Sequence, residues 1–498
     1  MEKEKLLLGR ESGGGDPPPP FVGWQARASR VSLGSRSAGR GVGSRREAAR
    51  MDVPNIVIVG GGFAGVEAAR GLERALAPTD ARITLVSPTD YQLYLPLLPQ
   101  VAAGVVTPQS VAPSLRRILR RTELVPGAVI GVDPGAKVCV VRKITGEVVD
   151  LSYDYLLLTP GSVTRTFDIP GLPDEARGMK TLAQAVYLRD HVIAQLDLAA
   201  ATSDEDERAA RLQFVVVGGG YAGTETAACL QRLTTAAAKR YHPRIDPGLI
   251  KWHLIDIATK LLPELGDKLG ASALRMLSGR GVQISLKTTV ASVTEDKVTL
   301  TDGRVLPSRT LVWTAGVAAS PLVDSLGAET VRGRIVVEAD FKVPGLDGVF
   351  ALGDAAAVPD LAKGDGSYCV PTAQHAARQG RHAAKNLAAL LGGQPMTPYK
   401  HKDLGLVVDL GGHDAVSKPL GIGLKGVSAQ VVARGYHLYA LRTGVARFRT
   451  GANWFLNAVA GDDFVRTGFL AGRKGTLRDF EHTDVYLTPE EVAARTRA

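Results

Sequence analysis

Residues 55–65 read NIVIVGGGFAG, and the fold follows from them. NIVIV is a short apolar run rich in β-branched residues and closed by glycine, the pattern of a buried strand. Gly60, Gly62 and Gly65 then form Gly-x-Gly-x-x-Gly, VEAARGLERAL continues as a helix, and ARITLVS returns to strand character. In that context the first glycine permits a tight turn, the second lets a pyrophosphate approach the backbone, and the third lets helix and strand pack closely. The pyrophosphate would rest on free N–H groups at the helix start, favoured by the helix dipole. The acidic residue that usually ends the second strand of such a unit is missing, and Ser87 stands at the ribose position. Asp90, three residues on, is either a substitute carboxylate or an ordinary turn residue.

The same order of elements returns about 158 residues later, as QFVVV, GGGYAG, TETAACLQRLTTAAAKRY and KWHLIDI. Its glycines are Gly218, Gly220 and Gly223, so the chain carries two dinucleotide-binding β-α-β units. Here the second strand ends in Asp256, placed to accept from a ribose 2′-hydroxyl and to repel a 2′-phosphate. That favours NADH over NADPH, the alternative being a surface carboxylate at a strand end.

Length and composition set the outer limits. The 498 residues allow two or three domains, and 45% apolar with 22% charged residues excludes a wholly disordered chain. Net charge is +10, but residues 1–50 hold ten basic against five acidic residues and 400–498 fourteen against ten. The middle of the chain is nearly neutral, which removes the main support for nucleic-acid binding. Cys139, Cys229 and Cys369 form no closely spaced pair, so neither a disulfide framework nor a cysteine metal site is expected. No apolar run reaches 18 residues, which disfavours a spanning helix. Residues 1–50, with GGGDPPPP and an Arg/Ser/Gly-rich run, are expected to be disordered. Met51 just before the first strand fits an upstream extension, with a transit peptide or a genuine tail as alternatives.

Further along, GLDGVFALGDA places Gly353 and Asp354 after a short apolar strand, and LLLTPGS and LVWTAG end in Gly161–Ser162 and Gly316. Over about 350 residues these pieces, in this order, resemble the pyridine nucleotide-disulfide oxidoreductases, flavoproteins that bind two dinucleotides. The resemblance implies FAD and NAD as cofactors, Asp354 against the flavin ribityl and pyrophosphate region, and Gly161 and Gly316 in the crossovers between the flavin and nicotinamide lobes. DYQLYLPLLPQVAAG at 90–104 and PTAQHAARQGRHAAKNL at 371–387 resemble the type II NADH dehydrogenases, which pass electrons from NADH to a quinone without pumping protons. By position, Ala373, Gln374, Ala376 and Gln379 match that group's quinone-site helix, whereas Arg378 departs from its usual glutamine. Glu225 matches a glutamate lying between the nicotinamide and quinone sides. It would relay a proton to the reduced quinone if its pKa is raised; the alternative is a carboxylate stabilised by the helix start. Cys369 is expected to be a core residue.

At the C-terminus, Leu438, Leu441, Val445, Phe448, Ala452, Phe455 and Val459 recur three and four apart, one stripe of a helix that Gly444 and Gly451 weaken. Residues 425–478 hold nine basic against two acidic residues. Such a segment, with Trp454 and Phe455, either lies in an anionic membrane interface or packs on the flavin lobe or a second subunit.

The expected architecture is therefore α/β, with two Rossmann-like lobes and the NAD lobe inserted in the FAD lobe. Its pieces are a basic extension (1–50), FAD lobe (52–170 and 318–400), NAD lobe (171–317) and a module for membrane association or dimerisation (401–498). Glu225, Gln374 and Gln379 are the expected catalytic residues. Expected partners are NADH and a quinone, at the cytoplasmic face of the cell membrane, with no metal and no nucleic acid. A soluble reductase with a non-quinone acceptor is the main alternative, and Arg378 its best support. A sulfide:quinone oxidoreductase is disfavoured by the cysteine spacing, and a nucleotide-sensing regulator is the reading from outside the enzymes.

Overall fold

The computed structural model describes residues 53–401, 405–461, 463–468, 474–481 and 485–497; the expected basic extension lies outside them. Two mainly parallel sheets organise the chain. In the first lobe, β1 (Asn55–Val59) leads through the glycine loop into α1 (Phe63–Ala75) and back to β2 (Arg82–Ser87). β3 (Glu123–Asp133), β4 (Val138–Lys143), β5 (Val148–Ser152) and β6 (Tyr155–Leu158) follow. β6 pairs parallel with β1 on the side away from β2, while β4 and β5 extend the other edge as an antiparallel meander. Ile56, Val57 and Ile58 are fully buried, as a strand covered on both faces requires.

After β7 (Ser162–Thr164), the chain builds a second sheet from β8 (Ala176–Arg177), β9 (Gln213–Val217), β10 (Lys251–Asp256), β11 (Val282–Leu286) and β12 (Thr310–Trp313), all parallel. α2 (Leu182–Ala201) precedes β9, and α3 (Tyr221–Tyr241) follows its glycine loop. The chain then returns through β13 (Val317–Ala319), which pairs antiparallel with β7, and completes the first sheet with β14 (Val349–Ala351) beside β6. The second lobe is thus inserted in the first, joined by a two-stranded ribbon. α4 (Ala373–Leu391) lies across α1 at close range: a Cβ on Gly71 would meet that of Ala384 at 2.5 Å, and one on Gly380 would overlap the Ala64 carbonyl.

The C-terminal region differs from a single module. β15 (Val407–Asp409), α5 (Val427–Ala440) and α6 (Gly444–Ala460) bury Val408, Leu441, Ala446 and Trp454 in one core with α2 and α3. Leu477 joins the core of the second lobe, and Val492 packs with Ile130 and Val140 of the first. The expected continuous stripe is also interrupted. Leu441 is extended and buried, and Thr443 starts a new helix by accepting from Ala446 N at 3.2 Å. Trp454 does not face outward with Phe455. It is buried, and its indole N–H donates to Gln100 Oε1 at 2.7 Å. Among the described residues no helix is long and apolar enough to cross a membrane.

Candidate functional site

The two glycine loops repeat each other residue by residue. Gly60 and Gly218 have φ of +102° and +118°, where a side chain is strained. A Cβ on Gly65 would overlap the Gly60 carbonyl and lie 2.7 Å from Thr159 Oγ1; one on Gly223 would overlap the Gly218 carbonyl and lie 2.5 Å from Thr314 Oγ1. Each threonine ties the next strand to the loop, Thr159 donating to Val59 O at 2.6 Å and Thr314 to Val217 O at 2.7 Å. These glycines are required by the protein itself.

Gly62 and Gly220 are different. Their φ values, −81° and −78°, suit any residue, and a Cβ there would meet nothing within 4 Å. Packing supplies no reason for glycine at either place; close approach of a ligand to the backbone does. Both residues cap helices that receive no side-chain hydrogen bond, whereas α2, α4 and α6 are capped by Thr181, Thr372 and Thr443. The free N–H groups and the positive end of the dipole are left for an anion in each lobe. The residues therefore fit a dinucleotide pyrophosphate twice over.

At the end of β2, Ser87 is buried and its hydroxyl donates to Thr89 O at 2.8 Å, while Asp90 is exposed in the turn beyond. At the end of β10, the Asp256 carboxylate accepts from Gly219 N and, at 2.6 Å, from Ala258 N. Gly161 (φ +74°) and Gly316 (φ +100°) stand at the two ends of the ribbon between lobes, each with open space where a Cβ would be. Beside them Asp354 Oδ2 accepts from Ser162 Oγ at 2.7 Å, and Ser162 Oγ accepts from Lys180 Nζ at 2.6 Å. Burial lowers the pKa of Lys180, with Asp354 and Glu481 acting against that shift. Lys180 was not among the residues expected from sequence, because nothing local marks a lysine before a helix as facing a carboxylate 174 positions away.

α4 carries the other expected residues. Ala373 opens the helix, and Gln374 donates from Nε2 to Gly405 O at 2.8 Å. Arg378 folds back on Gln374, donating to its carbonyl at 3.2 Å and to its Oε1 at 3.1 Å. Gln379 is 2% exposed and accepts at 2.8 Å from Gly353 N, holding the turn that carries Asp354. The structure does not place it at an open surface. Cys369 is buried in the first-lobe core.

Glu225 lies in the second turn of α3 and is buried. Its Oε1 accepts from Asp409 N at 2.8 Å. Burial pushes its carboxyl well above the usual range, the Asp409 amide opposes this, and the Asp409 carboxylate adds to it. Asp409 itself accepts from Gln100 Nε2 at 2.6 Å, Gln430 Nε2 at 3.1 Å and Gly411 N at 2.7 Å. Burial raises the Asp409 carboxyl as well, but these three donors oppose that shift, whereas Glu225 is opposed by one amide and is raised further. Nearby, Tyr94 OH meets His437 Nδ1 at 3.0 Å, and burial takes the His437 imidazole down to about 4. Asp409 and His437 come from the C-terminal region, and only the fold brings them to Glu225 and Tyr94 respectively.

Comparison with known proteins agrees with this geometry. Residues 54–380 match the family model for pyridine nucleotide-disulphide oxidoreductases. The type II NADH:quinone oxidoreductase Ndh of Mycobacterium tuberculosis is 31% identical over 459 residues, covering 89% of this chain and 92% of that protein. NdhA of the same organism is 34% identical over 385 residues, covering 73% and 78%. Among solved structures, NDH2 of Plasmodium falciparum in complex with NADH aligns with a TM-score of 0.78 at 18% identity, over 83% of this chain and 99% of that one. The chain belongs to the pyridine nucleotide-disulphide oxidoreductase family and, within it, to the type II NADH:quinone oxidoreductases.

Proposed function

We infer that this chain is an FAD-dependent enzyme that oxidises NADH and reduces a quinone. The observation that carries the reading is the pair of glycines, Gly62 and Gly220, that packing does not require and a pyrophosphate does. When bound, the flavin accepts a hydride from NADH and yields two electrons to the acceptor; the protein supplies position, electrostatics and protons.

In the first lobe, Gly60, Gly62 and Gly65 with the start of α1 hold the FAD pyrophosphate, Ser87 faces its ribose, and Asp354 binds its ribityl side. Gln379 serves here as a positioning residue, because its bond to Gly353 N fixes the turn before Asp354. In the second lobe, Gly218, Gly220 and Gly223 hold the NADH pyrophosphate, and Asp256 disfavours a 2′-phosphate. Gly161 and Gly316 keep the space between the lobes free of side chains, and Ala373 does the same at the start of α4. The domain limits proposed are 52–170 with 318–400 for the FAD lobe and 171–317 for the NAD lobe.

Glu225 holds the proton that the reduced quinone must gain. A carboxyl whose pKa is raised holds its proton as a general acid, and burial, with the Asp409 carboxylate adding to it, pushes Glu225 in that direction. Gln374 orients the acceptor, with Arg378 fixing its amide. That bond gives Arg378 a task at a quinone site, so its departure from glutamine does not argue for another acceptor.

More than half of the exposed large apolar side chains among the described residues lie between 420 and 465. Val427, Val431 and Tyr439 on α5, and Val445, Phe448, Phe455 and Val459 on α6, are exposed, and Val445 shares a cavity wall with Arg117 and Arg449. On this reading they rest in the interface of an anionic membrane, at its cytoplasmic face, rather than against a second copy of the chain. The test is anaerobic: NADH should bleach the visible flavin absorbance of the purified protein, and a soluble quinone should restore it. Bleaching without recovery would move the acceptor away from quinones, and absence of bound flavin would end the proposal.

A further inference from the structure

α1 leads away from its glycine loop and ends beside a cavity of about 550 Å³. Six arginines border it: Arg70 and Arg74 from α1, Arg117, Arg120 and Arg121 from the segment before β3, and Arg442 from the joint between α5 and α6. The carboxylate on its wall, Glu73, is occupied by Arg120 N at 3.0 Å, Arg121 N at 3.0 Å and Thr122 N at 2.9 Å. Some of the arginines also have structural duties. Arg121 caps α1 through Leu76 O at 2.5 Å, and Arg70 and Arg442 pair with the buried Glu67 at 3.2 and 2.7 Å. Arg74, Arg117 and Arg120 are exposed, and among the described residues no carboxylate pairs with them.

A second cavity, of about 260 Å³, shares Arg117 and is bordered by Thr443, Val445 and Arg449 at the start of α6. The basic basin therefore runs directly onto the outward apolar face of that helix. So many guanidinium groups repel one another unless an anion lies among them, and their planar forks match phosphate oxygens in pairs. A free phosphate would account for the arginines but not for the adjoining apolar face, and an acidic peptide does not call for Phe448 at 77% exposure.

We propose that the arginine basin formed by α1, the 117–121 segment and the α5–α6 joint binds the phosphate of an anionic phospholipid, with the α6 face entering the same leaflet. This rests on the peripheral-membrane reading above and adds a headgroup site on the flavin lobe. It sets the enzyme's preference for anionic membranes and ties the flavin lobe, not only the C-terminal helices, to the surface.

The experiment is flotation of the holoenzyme with vesicles of phosphatidylcholine alone or mixed with phosphatidylglycerol. The variant Arg74→Gln/Arg117→Gln/Arg120→Gln should bind the mixed vesicles roughly a hundredfold more weakly, from about 1 kcal/mol per arginine at such a surface. Its binding to phosphatidylcholine, flavin content and turnover with a soluble quinone should match the parent. Val445→Ser/Phe448→Ser/Phe455→Ser should lose both kinds of vesicle. If the arginine variant floats with mixed vesicles as the parent does, the site is overturned and an acidic protein becomes the better occupant. If only the serine variant behaves as the parent, the arginine site stands and the apolar membrane face fails. If inorganic phosphate raises the parent's Tm but not the arginine variant's, and the parent shows no preference for mixed vesicles, the occupant is a soluble phosphate and the lipid is excluded.

Discussion

The two lobes begin with the same loop and diverge in what clamps it. In the first, α1 is pressed by α4 through Gly71 and Gly380, and Gln379 reaches across to Gly353. In the second, α3 is met by β15, and the contact is a carboxyl, Glu225, bonded to the backbone of Asp409. The strand ends differ as well, a buried neutral Ser87 against an ionisable Asp256 that faces its loop. On the proposed function, the first arrangement holds FAD. The second takes NADH on that reading and has Glu225, its proposed proton donor, one helical turn from the loop. The loops are alike, and it is their surroundings that distinguish the two lobes.

The largest expected effect tests the first lobe. Gly65→Ala forces a Cβ into the Gly60 carbonyl, an overpacking costing about 1–3 kcal/mol with nowhere to relax. The purified protein should lack flavin absorbance and all activity; full flavin content would break the first half of the comparison. Next comes Glu225→Gln. Loss of a positioned acid should slow quinone-driven reoxidation by roughly a hundredfold or more, while reduction by NADH stays near the parental rate in stopped-flow traces.

The same variant has a stability signature. The raised Glu225 pKa means that the folded state binds a proton which the unfolded chain has released above the ordinary glutamate range. Stability contributed by that proton is complete at acid pH and falls as pH rises toward the folded pKa. Glu225→Gln should therefore gain Tm relative to the parent as pH is raised from acid to neutral. A pH-independent difference would show that the carboxyl is not held neutral.

Asp256→Ser gives the second lobe the residue of the first. It should narrow the preference for NADH over NADPH by about tenfold, the value of one such interaction, read as the ratio of kcat/KM values. Equal effects on both nucleotides would remove Asp256 from the specificity argument. The smallest effect belongs to Asp409→Asn. It removes the negative neighbour but leaves burial, the larger cause, so the alkaline limb of the turnover profile should move modestly toward lower pH. A limb that stays in place would separate Asp409 from the proton donor.

Much of this was legible before any coordinates. The glycine loops announce themselves because backbone geometry admits few residues at Gly60, Gly65, Gly218 and Gly223, and the insertion of one lobe in the other follows from the order of the repeats. The threonines behind the loops had a signal, the T-x-G that follows both LLL and LVW, which marks the crossovers without revealing what Thr159 and Thr314 touch. The basic run LRRILRR was equally visible, but its union with Arg70, Arg74 and Arg442 depends on three separate segments meeting. Asp409 and Lys180 left no trace, since their partners Glu225 and Asp354 are distant in sequence. The C-terminal stripe misled at Leu441, because helical spacing cannot register a break two residues before a threonine cap, and Trp454, paired with Phe455 in the sequence reading, is buried instead.

The division of labour between the lobes is tested most directly by Gly223→Ala, followed anaerobically by visible absorbance. The variant should have full flavin content that dithionite bleaches and quinone restores at the parental rate, yet that NADH bleaches only very slowly. Loss of flavin from this variant, or bleaching by NADH at the parental rate, would contradict that division of labour.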